Sequence, residues 1–119
     1  MTNYKHIDLN YLEDLALGSK DFLEDMISSF LKSTPESLQK MEEALNGQDW
    51  NRVGSIAHKL KTSFSFMGME ETVKNAKTLQ DYGLNSTNIE SIPELVEALK
   101  TSFAEAKSEL EAELVSLKA

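Results

Sequence analysis

The sequence predicts an all-α fold: an up-down four-helix bundle with a short additional helix at the N-terminus. Three observations support this prediction. The chain is rich in Leu, Ala, Glu and Lys, it contains two prolines, and its apolar residues recur at spacings of three and four rather than in alternation. A chain of 119 residues is long enough for one hydrophobic core and too short for two. We therefore expect residues 1–119 to form a single helical domain.

The composition argues against several classes of function. A formal net charge of −8 at pH 7 disfavours nucleic-acid binding, which needs a basic surface. The absence of cysteine excludes disulfides, thiol chemistry and cysteine-ligated zinc. No apolar run approaches the roughly 20 residues of a membrane span, and residues 1–5 lack the apolar core of a signal peptide. We therefore expect a cytoplasmic protein that binds neither nucleic acid nor membranes.

Two helices are predicted before residue 47. Asp8 is a suitable cap for a short first helix over residues 9–17, and Gly18 would end it. Ser19 can cap a second helix over residues 20–46. Six apolar residues share one arc of this second helix: Leu23, Ile27, Phe30, Leu38, Met41 and Leu45.

Proline lies in the middle of this second helix. Pro35 removes the hydrogen bond to the Leu31 carbonyl, at a cost of about 3 kcal/mol. The apolar residues before and after it nevertheless keep the same angular phase, which a true break would have no reason to preserve. The sequence therefore predicts one helix that is bent near Thr34-Pro35.

The third helix contains the residue of greatest chemical interest, His58. Gly47 ends the second helix, Asp49 caps the third and Gly68 closes it. One face of this helix is apolar: Trp50, Val53, Ala57, Leu60, Phe64 and Met67. His58 lies about 130° from the centre of that stripe, so its ring is expected to face outward.

The surroundings of His58 suggest more than an ordinary surface histidine. Gly54 precedes it by one turn, and Lys61, Thr62 and Ser65 follow on nearby positions of the helix. A largely neutral imidazole offers a lone pair for attack on phosphorus. Lys61 can balance the oxygens of a transferred phosphoryl group as a point charge.

The fourth helix is predicted over residues 69–82, with Val73, Ala76 and Leu79 buried and Gly83 at its end. Gln80 shares one seam of this helix with Val73, Ala76 and Gly83. If the third and fourth helices are antiparallel about Met69, His58 and Gln80 each lie 11 residues from the pivot and should meet. The alternative is a solvated surface glutamine.

The fifth helix begins at a predicted capping box, Ser91-Ile92-Pro93-Glu94. Its apolar stripe consists of Ile92, Val96, Leu99, Phe103, Ala106 and Leu110, extended by Leu114 and Leu117.

A motif in the third helix resembles the signature of histidine-containing phosphotransfer (HPt) domains. It consists of Ala57-His58-Lys59-Leu60-Lys61, then small residues, then Gly68 ten places after the histidine. The similarity extends upstream through Phe22-Leu23, Phe30-Leu31, Pro35, Leu38, Ala44-Leu45 and Asp49, so that residues 7–83 fall within it.

The resemblance implies roles for particular residues. His58 would accept the phosphoryl group, and HPt domains often have Gln or Glu at the place of Gln80, bonded to one ring nitrogen and leaving the other free. Gly54, Thr62, Ser65 and Gly68 would form the surface on which a partner docks. Glycine usually stands where this chain has Thr62. Either the bulk of the threonine obstructs an approaching partner, or its hydroxyl donates a hydrogen bond to a phosphoryl oxygen.

The first hypothesis for function is a phosphoryl carrier in a multistep His-Asp relay. The carrier takes the group from a receiver-domain aspartate and passes it to another receiver. The sequence has no nucleotide-binding motif, so we expect no kinase activity. No cofactor is expected on this chain, and Mg²⁺ would come from the receiver. The expected partners of the monomer are response-regulator receiver domains or a hybrid histidine kinase. The alternative is a helical interaction module that binds its partner without phosphotransfer.

Other chemistry fits the sequence less well. A di-iron bundle needs a Glu three residues before its histidine. In this chain the residue three places before His58 is Ser55, so that motif is missing. Ser-His-Asp catalysis needs a concave site, which a histidine on a flat helical face does not supply. His6 lies in a polar segment and is expected to be solvated. The pairs Glu42-Glu43 and Glu70-Glu71 lie on helix surfaces or ends and are given no catalytic role.

Overall fold

The computed structural model describes residues 4–119, and every regular element among them is helical. The elements are α1 (Asn10–Ala16), α2 (Lys20–Asn46), α3 (Trp50–Phe66), α4 (Glu70–Asn85), a 3-10 turn (Ile89–Ser91) and α5 (Ile92–Lys118). The predicted all-α class is confirmed. Residues 1–3, part of the stretch examined for a signal peptide, lie outside the described residues. Along the described chain, no helix is both long and apolar enough to cross a membrane.

The four long helices form the predicted bundle. α3 and α5 each pack against both α2 and α4, so neighbours in the chain are also neighbours around the bundle. The ring of Phe30 lies at the centre, with its centroid 5.9 Å from that of Phe64 and 5.6 Å from that of Phe103. All six residues predicted for the main α5 stripe are buried. Predicted core residues that are only partly buried are Leu23, Leu45, Trp50, Val73, Leu114 and Leu117.

The N-terminal segment, with the predicted short helix, covers one end of the bundle. α1 packs against α2, and the ring of Tyr11 lies 5.9 Å from that of Phe66 at the end of α3. The backbone N–H of Asp8 donates to the Met67 carbonyl oxygen at 3.0 Å. These contacts hold the segment over the turn that joins α3 to α4.

Two of the predicted caps are present with the expected hydrogen bonds. Ser19 Oγ accepts from the backbone N–H of Phe22 at 3.1 Å, and Asp49 Oδ1 accepts from that of Arg52 at 3.2 Å. α1 begins one residue later than predicted. Asp8 Oδ1 accepts from the Asn10 N–H at 3.0 Å and so still satisfies a free donor at the start of the helix.

Two predicted helix boundaries are wrong. α4 does not stop at Gly83 but continues to Asn85, and the left-handed residue that ends it is Ser86, with φ of 51°. Ser91 forms no capping hydrogen bond, because its backbone is already helical, with φ of −90° and ψ of −14°. The chain enters α5 through the 3-10 turn, which leaves no extended residue to act as a cap.

α2 runs through Pro35 without interruption, so the predicted continuity is confirmed. The bend near this residue stays a prediction. The preceding residue, Thr34, is 1% exposed, and its hydroxyl oxygen has no hydrogen-bond partner within residues 4–119. This turn of the helix therefore lacks two hydrogen bonds: the one that the Pro35 nitrogen cannot donate and the one that the buried Thr34 hydroxyl does not form.

Candidate functional site

His58 lies near the middle of α3 and is exposed, as the helical periodicity predicts. The opposite face of the same helix is fixed in the core by Val53, Ala57, Leu60 and Phe64, each at most 2% exposed. Because this buried face anchors the helix, the ring is presented to solvent from a rigid support.

The predicted contact between His58 and Gln80 is present. Nδ1 of the ring lies 3.3 Å from Oε1 of the amide. A carbonyl oxygen can only accept, so this pairing requires the proton on Nδ1, and Nδ1 is the donor. Nε2 then keeps its lone pair, and it forms no hydrogen bond within the described part of the chain. The arrangement leaves one nitrogen of the ring ready to act as a nucleophile.

The turn between α3 and α4 sets the register of this contact. Gly68 has a φ of +67°, which glycine adopts readily, and the Met69 N–H donates back to the Phe64 carbonyl at 3.1 Å. The chain therefore reverses within a few residues. His58 and Gln80 lie at equal distances along the two antiparallel helices, as the sequence predicted.

α3 is locally positive although the whole chain has a net charge of −8. Between Trp50 and Phe66 it has Arg52, Lys59 and Lys61 and no Asp or Glu. Lys61 is half-buried one turn beyond His58, and no carboxylate among residues 4–119 lies within ion-pair distance of it. Its ammonium group is therefore available to an anion brought to the ring.

Comparison with known proteins identifies the family. The model of the Hpt domain matches residues 25–114, a segment that includes His58, Lys61 and Gln80. The chain belongs to the Hpt domain family. It is therefore a histidine phosphotransfer carrier in phosphorelay signalling. Members of this family interact with receiver domains and histidine kinases.

A solved structure has the same fold as this Hpt domain. It is the crystal structure of histidine-containing phosphotransfer protein B (HptB) from Pseudomonas aeruginosa PAO1. The two superpose with a TM-score of 0.86 at 22% sequence identity, over 96% of this chain and 98% of that one. No curated protein matches the chain.

Of the four residues predicted to form a docking surface, two are exposed, one is partly buried and one is buried. Thr62 and Ser65 are exposed on the same side of this Hpt domain as His58. Gly54 is buried, because the backbone of α4 lies directly against it. Gly68 is partly buried. A Cβ atom on Gly68 would collide with Asp8, which lies directly against it. Gly54 therefore serves helix packing rather than partner contact, and a docking role for Gly68 stays a prediction.

The face around His58 is open rather than concave. One cleft lies between the N-terminal segment, the start of α4 and α5, and it does not include His58. His6, predicted to be solvated, is exposed, with Nε2 4.0 Å from Glu105 Oε2. Within residues 4–119, no group of His, Asp and Glu side chains is arranged to hold a metal ion. The predicted exposure of both histidines is confirmed.

We expect Gln80→Leu to change the tautomer balance of the His58 ring without unfolding the bundle. Leucine can occupy the same half-buried seam, but it cannot accept the Nδ1–H bond, so both neutral tautomers become populated. Nitrogen NMR of the ring at alkaline pH measures the ratio. Spectra that superimpose on those of the wild type would mean that the amide does not orient the ring.

Proposed function

We propose that His58 is the phosphoacceptor of this Hpt domain and that Nε2 is the reacting nitrogen. The observation that supports this most directly is the hydrogen bond of Nδ1 to Gln80, which leaves Nε2 with its lone pair on an open face. In the proposed step, the Nε2 lone pair attacks the phosphorus of an aspartyl phosphate on a receiver domain. The P–N bond forms as the P–O bond breaks, and the aspartate carboxylate leaves with the electron pair.

Gln80 contributes more as the reaction proceeds. The imidazole gains positive charge when Nε2 bonds to phosphorus, while its proton stays on Nδ1. A charged donor makes a stronger hydrogen bond than a neutral one, so the contact with Oε1 strengthens toward the transition state. An interaction that is stronger in the transition state than in the ground state accelerates the step.

Lys61 and the positive face of α3 suit an anionic reactant. The transferred phosphoryl group carries negative charge on its three oxygens. Lys61 would approach a phosphoryl oxygen as a point charge from the side of this protein. The receiver would supply the Mg²⁺ ion, as expected for this family.

In this proposal residues 1–119 form one domain that acts as a cytoplasmic monomer. The domain takes a phosphoryl group from one receiver and gives it to another, and it has no cofactor or kinase activity of its own. The absence of a nucleotide-binding motif in the sequence supports the last point. The reverse step uses the same atoms, since the phosphorylated Nε2 becomes the leaving group for a receiver aspartate.

We expect His58→Gln to abolish phosphoryl acceptance and to keep the fold. The side chain is exposed, so the free energy of unfolding should change by no more than about 0.5 kcal/mol. The measurement is labelling by a phosphorylated receiver domain, followed by an assay for acid-labile phosphate. His6→Gln is the matched control and should label normally. Labelling of the His58 variant, or receiver binding by the wild type without any label, would contradict the proposal.

We expect Lys61→Ala to slow phosphoryl transfer by about tenfold, equivalent to about 1.4 kcal/mol in the barrier, and not to abolish it. A point charge is lost while the nucleophile remains. Single-turnover transfer from a phosphorylated receiver measures the rate. Lys107→Ala, on the exposed face of α5, makes the same change in net charge and should leave the rate unaltered. Equal rates for both variants would limit Lys61 to a role in solvation.

Thr62 lies one turn beyond His58, and two variants separate its bulk from its hydroxyl. We expect bulk to dominate, because Lys61 already supplies a donor on that side of the ring. Thr62→Gly should then accept phosphate faster or from more receivers, despite losing roughly 0.3–0.5 kcal/mol of helix propensity, and Thr62→Val should match the wild type. If both variants slow transfer, the hydroxyl is the active feature. A panel of receivers gives the rates, and equal rates throughout would rule out both roles.

A further inference from the structure

Gly54 and Gly83 lie where the backbones of α3 and α4 touch. A Cβ atom on Gly83 would lie 2.6 Å from the amide nitrogen of Gly54 and 2.6 Å from the carbonyl oxygen of Trp50. A Cβ atom on Gly54 would lie 2.7 Å from the amide nitrogen of Leu84 and 3.0 Å from the carbonyl oxygen of Gln80. The space that a side chain would need is therefore occupied by backbone from both directions, which only glycine allows.

This contact adjoins the hydrogen bond at the phosphoacceptor. Gly54 precedes His58 by one turn of α3, and Gly83 follows Gln80 by three residues of α4, so both pairs belong to the same antiparallel register. The distance of 3.3 Å between Nδ1 and Oε1 is already slightly beyond the usual N–H···O range of about 2.7–3.2 Å. The hydrogen bond therefore tolerates little further separation of the helices.

We infer that Gly54 and Gly83 are positioning residues for phosphotransfer. By letting α3 and α4 meet backbone to backbone, they keep Gln80 within hydrogen-bonding reach of His58 and so keep the lone pair on Nε2. They act through Gln80, not on the transferred group. The inference rests on the proposed role of His58 and adds to it the feature of the fold that sets the tautomer.

The effect of a methyl group follows from the distances. Ordinary van der Waals contact for a Cβ atom begins at 3.4 Å, so Gly83→Ala requires the two backbones to separate by about 0.8 Å. Backbone atoms cannot rotate away as a flexible side chain can. The same separation would carry Oε1 out of range of Nδ1. A fraction of the rings would then hold the proton on Nε2, where no lone pair remains for attack on phosphorus.

The test is Gly83→Ala, read by nitrogen NMR of the His58 ring at alkaline pH in the unphosphorylated protein. The tautomer ratio should move to that of Gln80→Leu. Transfer from a phosphorylated receiver should slow in both variants, by roughly tenfold. Gly47→Ala is the matched control: a Cβ atom there would meet its nearest neighbour at 3.5 Å, which is ordinary contact, and ring and rate should stay as in the wild type.

A double-mutant cycle separates positioning from a general loss of structure. If Gly83 acts through Gln80, adding Gly83→Ala to Gln80→Leu should change the ring spectrum and the transfer rate no further. An additional change of similar size in that background would overturn the inference, as would a folded Gly83→Ala protein with wild-type ring signals. If Gly83→Ala does not fold, as judged by circular dichroism, Gly54→Ala is measured in the same cycle with the same expected result.

The ring measurement also keeps this inference distinct from the proposed function. Tautomers are read without any phosphoryl donor, so a shifted ratio in Gly83→Ala supports the positioning role whether or not the protein is labelled. A wild-type protein that never becomes labelled on His58 would contradict the proposed function alone. A wild-type protein that labels, with a Gly83→Ala variant unchanged in ring and rate, would contradict the positioning role alone.

Discussion

The close antiparallel packing of α3 on α4 is the constraint on which the candidate site depends. His58 lies on an open face, so no pocket walls fix its ring. The ring is instead oriented by one hydrogen bond to Gln80 of α4. The length of this bond depends on the distance between the axes of α3 and α4. Helices usually pack with axes about 8–10 Å apart, at a distance set by the side chains between them. Here Gly54 and Gly83 remove those side chains at the turn adjoining the reactive residue.

The core contributes to the site without touching the ring. α3 is amphipathic, and the same periodicity that buries Ala57 and Leu60 turns His58 to solvent. Phe64 and Phe30 pack edge to face with centroids 5.9 Å apart, an arrangement that stabilises by about 0.5–1.5 kcal/mol beyond burial. Apolar contacts on its buried face thus hold α3 along its length. The exposed face with His58 makes no such contacts. This separation explains how a carrier can expose a reactive residue without loss of rigidity.

Charged residues are also distributed unevenly between α3 and the rest of the chain. The chain has 20 acidic and 12 basic residues, which gives its net charge of −8, but α3 has three cations and no carboxylate. A local positive face on a negative protein attracts anionic groups over a distance of about 10 Å, the screening length at moderate salt, and leaves the rest of the surface repulsive toward polyanions. This local charge is consistent with the proposed approach of an aspartyl phosphate to His58.

The sequence by itself determined the features that depend on neighbours along the chain. Helical periodicity predicted the outward position of His58, the caps at Ser19 and Asp49 fixed where α2 and α3 begin, and counting from the Gly68 turn predicted the meeting with Gln80. Only the tertiary structure decided what Gly54 and Gly83 do. Glycine is favoured both where a helix ends and where two helices touch, so the sequence alone predicts a helix end at Gly83 and an exposed surface at Gly54. The separation of two helices depends on side chains far apart in sequence, and periodicity within one helix contains no information about that distance.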